Sequence, residues 1–121
     1  MIFFADTYAI IDFLKGNPRY KKYFVQHDFI TTKLNLLELY YSALSEESQE
    51  LADEYYNSFL SKTIEIEDDD FKKAAKFKFK HKKQNISYVD AIGYQIANSR
   101  KIKFLTGDKE FRKMSNVEFV K

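Results

Sequence analysis

Four carboxylates have the residue type and spacing to do chemistry: Asp6, Glu38, Asp90 and Asp108. Asp6 directly follows the apolar run 2–5, and Asp108 comes shortly after the apolar run 102–105. Both runs have the composition of buried strands. In an open parallel sheet ligands bind beyond the carboxyl ends of the strands, so neighbouring strands would bring these two carboxylates together. The alternative for each is an ordinary helix N-cap, a common role of Asp after a strand.

Glu38 lies in a segment, 33–44, that predicts a helix with apolar residues on most sides. The polar residues Asn35, Glu38 and Ser42 are spaced so that they form one stripe on this helix. Burying an unpaired charge is costly, so a carboxylate on a central helix needs a partner. The stripe therefore either faces water or brings Glu38 into a polar site.

Asp90 is the third residue after Ser87, at the start of a second predicted helix, 88–99. This spacing is that of a capping box, which by itself accounts for Asp90 without any chemistry. Gly93 follows one turn later, and a glycine inside a helix usually has a packing or approach reason. Here the reason is either room for a ligand beside Asp90 or close packing of the helix.

Carboxylates that converge repel one another and raise each other's pKa values. The chain has no Cys and two His, and no Lys stands out as a dedicated partner. A divalent cation would compensate, because Mg²⁺ and Mn²⁺ take carboxylate oxygens and also bind phosphate oxygens. Such an ion can activate water against a phosphodiester. The acids therefore offer a metal site for phosphodiester hydrolysis, with caps and surface acids as the alternative.

The elements that must position these acids alternate along the chain. Apolar runs predict strands at 2–5, 29–31, 63–66, 102–105 and 117–120. Capping and breaker residues predict helices at 8–15, from 17, at 33–44, at 46–60, from 71 and at 88–99. Strands separated by helices imply parallel pairing through right-handed crossovers. We expect an α/β protein, a three-layer α/β/α sandwich with a five-stranded parallel sheet.

Length and composition fit a single small domain over 1–121. The 121 residues are 45% hydrophobic and 31% charged, which suffices for a core without disulfide or metal staples. The absence of Cys excludes a disulfide scaffold, thiolate zinc sites and a cysteine nucleophile. No apolar run has the length of a membrane span, and the first residues lack the layout of a signal peptide. We therefore expect a cytoplasmic protein with no membrane partner.

The net charge of +2 hides a strong asymmetry along the chain. Segment 34–70 carries eleven acidic residues and one basic residue, whereas segment 71–121 carries fourteen basic and four acidic residues. Seven of the lysines lie within 72–83. A basic half predicts a surface for a polyanion, and the alternative is a set of solvated helix faces.

Four motifs, in order along the chain, resemble those of a PIN-domain ribonuclease, specifically a small toxin of the VapC type. They are ADTYAII at 5–11, LLELYY at 36–41, ISYVDAIG at 86–93 and FLTGDKEF at 104–111. The closing NVEFV at 116–120 also fits the last strand of that family. Each motif is weak alone, but four in the right order and spacing are fairly specific.

The resemblance implies that the four carboxylates are the catalytic residues of an acidic metal site. Asp6, Asp90 and Asp108 would hold Mg²⁺ or Mn²⁺, directly or through water. Glu38 would orient a water or hold a second ion, in a hydrolysis that leaves a 5′-phosphate. The positions that match hydrogen-bonding supports of the site are Thr7 and Thr106.

The resemblance also implies a sheet order of 3-2-1-4-5, with the predicted strands numbered along the chain. It further implies a Mg²⁺- or Mn²⁺-dependent endoribonuclease that is the toxin of a type II toxin–antitoxin pair. Such a protein is expected to form a homodimer and to have a cognate antitoxin that covers its site. For an RNA substrate, the lysine-rich segment predicts salt-dependent phosphate contacts, and we expect most of its aromatic residues in the core. The lysines expected to contact RNA are Lys80, Lys82 and Lys83.

Two other functions stay open from the sequence. A non-catalytic RNA-binding module on the same PIN-like fold is one, although the presence of all four acids argues against it. A receiver-like phospho-switch domain has this length and class. It would need an Asp at the end of its middle strand and a Lys-Pro pair near strand five, and the only proline is Pro18. Cleavage of mixed RNA with and without Mg²⁺ distinguishes an enzyme from a binding module.

Overall fold

A computed structural model describes the whole chain, residues 1–121. Six helices and four strands alternate along it. The strands are β1 (Ile2–Ala5), β2 (Asp28–Ile30), β3 (Lys103–Thr106) and β4 (Val117–Phe119). The helices are α1 (Thr7–Leu14), α2 (Lys21–Val25), α3 (Lys33–Glu46), α4 (Gln49–Phe59), α5 (Asp68–Lys80) and α6 (Tyr88–Arg100). Short 3-10 turns lie at Leu60–Lys62 and Lys109–Phe111.

The four strands form one parallel sheet in the order β2-β1-β3-β4. The first strand in sequence is therefore central, with Phe3 opposite Phe29 on one side and Phe4 opposite Phe104 on the other. All carboxyl ends lie at the same edge of the sheet, because every pairing is parallel. The α/β class predicted from the sequence is confirmed.

Helices cover both faces of the sheet. Phe4 and Phe104 are fully buried on one face, in a cluster with residues of α5 and α6. Phe3 and Leu105 point to the other face, in a cluster with residues of α1 and α2. A third cluster joins β1 and β2 to α1, α3 and α4 on that second face. Alternate residues of a strand point to opposite faces, so each buried strand needs apolar residues at every position.

The predicted strand at 63–66, the third along the chain, is wrong. Thr63 forms a single isolated parallel bridge with Thr31, beside the outer strand β2. Two backbone hydrogen bonds hold this bridge, from Thr31 N to Lys62 O and from Ile64 N to Thr31 O, each 3.0 Å. Pairing stops there because the neighbouring chain enters α3 directly after Thr32, its N-cap. Without the predicted third strand, the predicted order 3-2-1-4-5 becomes the observed order of four strands.

Three helix starts differ from the prediction. The helix expected from Asn17 begins only at Lys21, after a turn over 18–20. The N-cap of α4 is Ser48, whose hydroxyl accepts the Leu51 amide at 3.1 Å, so this helix starts later than predicted. In contrast, α5 already starts at Asp68 and includes the acids expected to precede it. No helix combines the length and apolar character needed to cross a bilayer.

Gly93 is required by close packing in this fold. A Cβ added there would lie 2.6 Å from Cε1 of Phe4 and 3.1 Å from Cε1 of Phe104. Both rings are fully buried, so accommodating a Cβ would require repacking of the core. Of the two explanations left open by the sequence, packing of α6 on the sheet is therefore the correct one.

The helix α3 is less buried than its apolar composition suggests. It buries Leu36 and Leu39 against the sheet. An apolar row on its outer side stays exposed, with Leu37 at 61% and Tyr41 at 72% exposure. Leu44 continues that row one turn later and is also exposed. The chain thus leaves an apolar strip on its surface, which the periodicity alone did not separate from core.

Candidate functional site

Each of the four predicted acids lies at the start or in the early turns of an element near the carboxyl edge of the sheet. Asp6 is the residue between β1 and α1, and Asp108 follows β3 and caps the 3-10 turn after it. Glu38 lies in the second turn of α3, and Asp90 lies in the first turn of α6. Burial is the largest cause of the raised pKa values of Asp6, Glu38 and Asp90. In addition, the Asp90 charge raises the pKa values of Asp6 and Glu38, and the Asp108 charge raises that of Asp90. The structure therefore brings the predicted acids together.

Asp6 is the most enclosed of the four, with an exposed fraction of 2%. Its Oδ1 accepts the Thr7 amide at 2.9 Å, and its Oδ2 accepts the Thr106 hydroxyl at 2.8 Å. Burial raises the pKa of Asp6 well above its usual range, and the neighbouring Asp90 charge raises it further. The two hydrogen bonds oppose this rise. A buried carboxylate of this kind is held in place by neutral donors and has no cationic partner.

Thr106 links two of the acids. Its hydroxyl donates to Asp6 and accepts the backbone amide of Asp108 at 3.1 Å. Gly107 lies between them, and a Cβ there would lie 2.4 Å from the Val120 carbonyl oxygen. Since that oxygen belongs to the backbone, only glycine permits this turn. The turn therefore sets the position of Asp108 relative to Asp6.

Thr7 holds the fourth acid. Its hydroxyl donates to Oε1 of Glu38 at 2.6 Å and accepts from Nδ2 of Asn35 at 3.0 Å. Asn35 is fully buried, and it also joins the capping box that starts α3. Burial raises the pKa of Glu38, the Thr7 hydrogen bond opposes this, and the Asp90 charge adds to it. The sequence placed Asn35 on the polar stripe but gave it no role, because its bond to Thr7 joins two distant segments.

Asp90 fulfils the predicted capping box and also belongs to the site. Its Oδ2 accepts the Ser87 amide at 3.1 Å, and the Ser87 hydroxyl accepts the Asp90 amide at 3.0 Å. Burial raises the pKa of Asp90, these hydrogen bonds lower it, and the Asp108 charge raises it. The capping explanation and the site explanation are therefore both satisfied by one side chain.

Three carboxylate oxygens of the site have no protein donor. Glu38 uses only Oε1, Asp90 only Oδ2 and Asp108 only Oδ1, leaving the other oxygen of each free. The three ion pairs of the chain all lie elsewhere. No group of three or more Asp, Glu or His side chains is placed to hold a metal ion. This all-oxygen donor set fits an ion such as Mg²⁺, which keeps several waters and takes one or two carboxylates.

One lysine that the sequence did not single out, Lys78, lies near the acids. Lys78 of α5 is half-buried. Burial is the main cause of the raised pKa of Asp90, and the Lys78 charge opposes it. No sequence signal links the two, because they lie on different helices and meet only when α5 packs against α6.

The three lysines predicted to contact RNA are exposed around the connection from α5 to α6. This connection lies beside the turn that follows Asp108, because the Asn85 amide donates to Glu110 Oε1 at 3.2 Å. Lys82 Nζ lies 5.0 Å from the ring centroid of Phe79. Phe77 packs against the core, as expected, whereas Phe71 and Phe79 are 47% and 73% exposed, so the expectation that most of these rings lie in the core is wrong.

A parallel α/β sheet with carboxylates gathered beyond its carboxyl ends defines the class of this protein. The model of the PIN domain family matches residues 3–117, so the chain belongs to the PIN domain family. This confirms the resemblance seen in the four motifs. A comparison with curated protein sequences gives no match.

Solved structures of VapC and VapBC proteins have the same fold. The chain is similar to VapC20 of Mycobacterium tuberculosis, a sarcin-ricin loop cleaving toxin, with a TM-score of 0.80, 18% identity and 98% of each chain covered. It is similar to VapBC2 of Rickettsia felis bound to a promoter DNA fragment, with a TM-score of 0.75, 16% identity and coverage of 99% and 98%. It is also similar to DNA-bound VapBC of Salmonella typhimurium, with a TM-score of 0.75, 18% identity and coverage of 99% and 97%.

Proposed function

We propose that this chain is a Mg²⁺- or Mn²⁺-dependent endoribonuclease and the toxin of a type II toxin–antitoxin pair. The observation that carries the proposal is the convergence of Asp6, Glu38, Asp90 and Asp108, with three carboxylate oxygens left free of protein donors. Membership of the PIN domain family supports the nuclease part. Structural similarity to a sarcin-ricin loop cleaving toxin supports RNA as the substrate.

In this proposal Asp6, Asp90 and Asp108 hold the ion, directly or through water. The bound ion supplies a Lewis acid that activates water and neutralises charge on the phosphodiester. Asp6 is kept rigid by its two neutral donors, so its carboxylate does not need to reorganise when a substrate arrives. Thr106 keeps Asp108 in register with it. The four acids thereby form an anionic cluster, which repels a phosphodiester unless a cation lies between them.

Glu38 is assigned the proton-handling role. Thr7 fixes its Oε1 and thereby orients Oε2, which has no protein donor. Because burial raises the pKa of Glu38, its carboxylate is a better base than a solvated glutamate. We assign Oε2 to orienting the attacking water and receiving its proton. Asn35 and Thr7 are positioning residues in this scheme, since they act through Glu38.

The partners follow from charge and from exposed surface. Lys80, Lys82 and Lys83 are assigned to RNA phosphates, because they are exposed beside the turn after Asp108. The exposed apolar row of Leu37, Tyr41 and Leu44 supports a protein partner, either a cognate antitoxin or a second copy in a homodimer. The similarity to solved VapBC structures supports an antitoxin.

The test of the proposed function is RNA cleavage by the purified protein, with Mg²⁺ and with EDTA. Asp90→Asn keeps the capping geometry and removes the charge, so we expect cleavage to fall at least a hundredfold with the fold intact. Asp70→Asn is the matched control, because Asp70 occupies the same capping-box position at the start of α5. A wild-type rate for Asp90→Asn would overturn the catalytic assignment. Mg²⁺-independent binding of RNA without cleavage would favour a non-catalytic module.

A further inference from the structure

Lys78 places a cation beside the carboxylate site and is fixed there by two neighbours. Its Nζ donates to the carbonyl oxygen of Ile86 at 2.6 Å and lies 5.0 Å from the ring centroid of Tyr88. Ile86 is 1% exposed, so the carbonyl that holds the ammonium belongs to a buried part of the chain. The ammonium is therefore held in place, in contrast to the exposed lysines on the same helix.

The Lys78 ammonium keeps N–H donors and a charge that no protein group pairs with. A lysine has three N–H donors, and the Ile86 carbonyl takes one of them. Lys78 forms none of the three ion pairs of the chain. Its charge nevertheless reaches Asp90, whose pKa is raised mainly by burial and lowered by Lys78. Two donors and a positive charge thus remain available next to an acidic site.

Tyr88 adds an aromatic surface at the same place. It is the first residue of α6, two positions before Asp90, and it is 68% exposed. An exposed aromatic side chain beside a free cation is the combination that single-stranded nucleic acids use, with bases on rings and phosphates on cations. The lysine meanwhile restrains the ring through its contact at 5.0 Å.

We propose that Lys78 and Tyr88 form a one-nucleotide subsite beside the carboxylates, in which the Lys78 ammonium binds an RNA phosphate and the Tyr88 ring stacks on the adjoining base. This proposal rests on the proposed function and deepens it by assigning the contacts that hold the strand. Such a subsite would help RNA to bind, because the four carboxylates repel the phosphates of the substrate. An anchored cation at their border offsets that repulsion.

The test measures binding of a short single-stranded RNA to the intact protein in EDTA. Fluorescence anisotropy gives the affinity at each of several NaCl concentrations. Losing one phosphate contact should reduce the slope of log affinity against log salt by about 0.7. We expect this reduction for Lys78→Met and a wild-type slope for Lys78→Arg. Lys76→Met is the matched control, since Lys76 is an exposed lysine of the same helix.

The stacking half is tested in parallel. Tyr88→Ala should weaken RNA binding about fivefold or more, whereas Tyr88→Phe keeps the ring and should bind like the wild type. These variants also decide the matter if Lys78→Met fails to fold, which its melting curve would reveal. A purely structural tie between α5 and the connection after it would change melting without changing the salt slope.

The outcomes separate this subsite from the function on which it rests. If the wild type cleaves RNA while Lys78→Met keeps the wild-type slope and Tyr88→Ala keeps the wild-type affinity, the subsite is overturned and the function stands. If RNA binding depends on both residues but no cleavage occurs in Mg²⁺, the ribonuclease assignment is overturned and the subsite stands. If the wild type binds no RNA, both are overturned.

Discussion

Asp90 combines two requirements in one side chain. One carboxylate oxygen accepts the Ser87 amide that starts α6, and the other has no protein donor. Because the capping box fixes the carboxylate in the first turn, the beginning of the helix and the geometry of the site depend on the same residue. Asn preserves most of the cap, which makes the charge of this residue separable from its structural role.

The buried carboxylate of Asp6 should make the metal-free protein less stable as the pH rises. Burial and the Asp90 charge raise its pKa in the folded state, whereas the unfolded chain has a value of about 3.9. The folded protein therefore holds this proton over a pH range in which the unfolded chain has released it. The resulting stabilisation is complete below the unfolded value and is lost as the pH rises through the folded value.

The measurement is the free energy of unfolding in urea with EDTA, between about pH 2.5 and pH 8, for the wild type and Asp6→Asn. The stability of the wild type relative to the variant should fall with rising pH. Asp28→Asn provides a control of opposite sign, because the bond from Lys62 lowers the pKa of Asp28. Its contribution should be lost as the pH falls. A pH-independent gap for Asp6→Asn would contradict the account of a desolvated carboxylate.

Among the elements, α6 shows how packing against the sheet restricts the residue at one position, Gly93. Gly93→Ala should gain up to about 1 kcal/mol in helix propensity. The new Cβ would press on Phe4 and Phe104, and overpacking of a core costs about 1–3 kcal/mol. We expect a net loss of stability in urea denaturation. Ser99→Ala, at an exposed position of the same helix, should equal or slightly exceed the wild type. Equal stability of Gly93→Ala and wild type would show that the sheet yields at this point.

The sequence predicted the elements that rest on local signals and added one strand that does not form, because strand pairing depends on a neighbour. Five of six helices lie close to their predicted ranges, and four predicted strands exist, since capping residues and apolar runs are local. The predicted strand at 63–66 has the right composition but pairs only at Thr63, because the chain beside it enters α3 directly after Thr32. Strand pairing depends on where the adjoining chain turns, which composition does not encode.

The same division applies to the candidate site. Each acid could be found from its place after a strand or in a helix start, and the family resemblance joined them into one set. The roles of Asn35 and Lys78 could not be found. Asn35 meets Thr7 only through packing between distant segments, and the contact of Lys78 with Ile86 depends on how the connection from α5 to α6 folds back. The support that neutral donors give to Asp6 and Glu38 was anticipated for Thr7 and Thr106 through the resemblance alone.

For the whole molecule, the charge asymmetry and the acidic site have to be considered together. Segment 71–121 carries fourteen basic residues against four acidic ones, and two of those four belong to the site. A basic surround attracts a polyanion over a distance, whereas the clustered acids repel it at close range. A divalent cation at the acids removes this conflict. We therefore propose that the four carboxylates form a divalent-metal site.

Melting curves of the wild type and Asp108→Asn, recorded in EDTA and in millimolar Mg²⁺, test that claim most directly. Asn caps a helical turn as well as Asp does, so the variant in EDTA should melt at the wild-type temperature or slightly above it. An ion that binds only the folded state raises the melting temperature. We expect Mg²⁺ to raise it clearly for the wild type and much less for the variant. An equal Mg²⁺ response of the two proteins would contradict a metal site that includes Asp108.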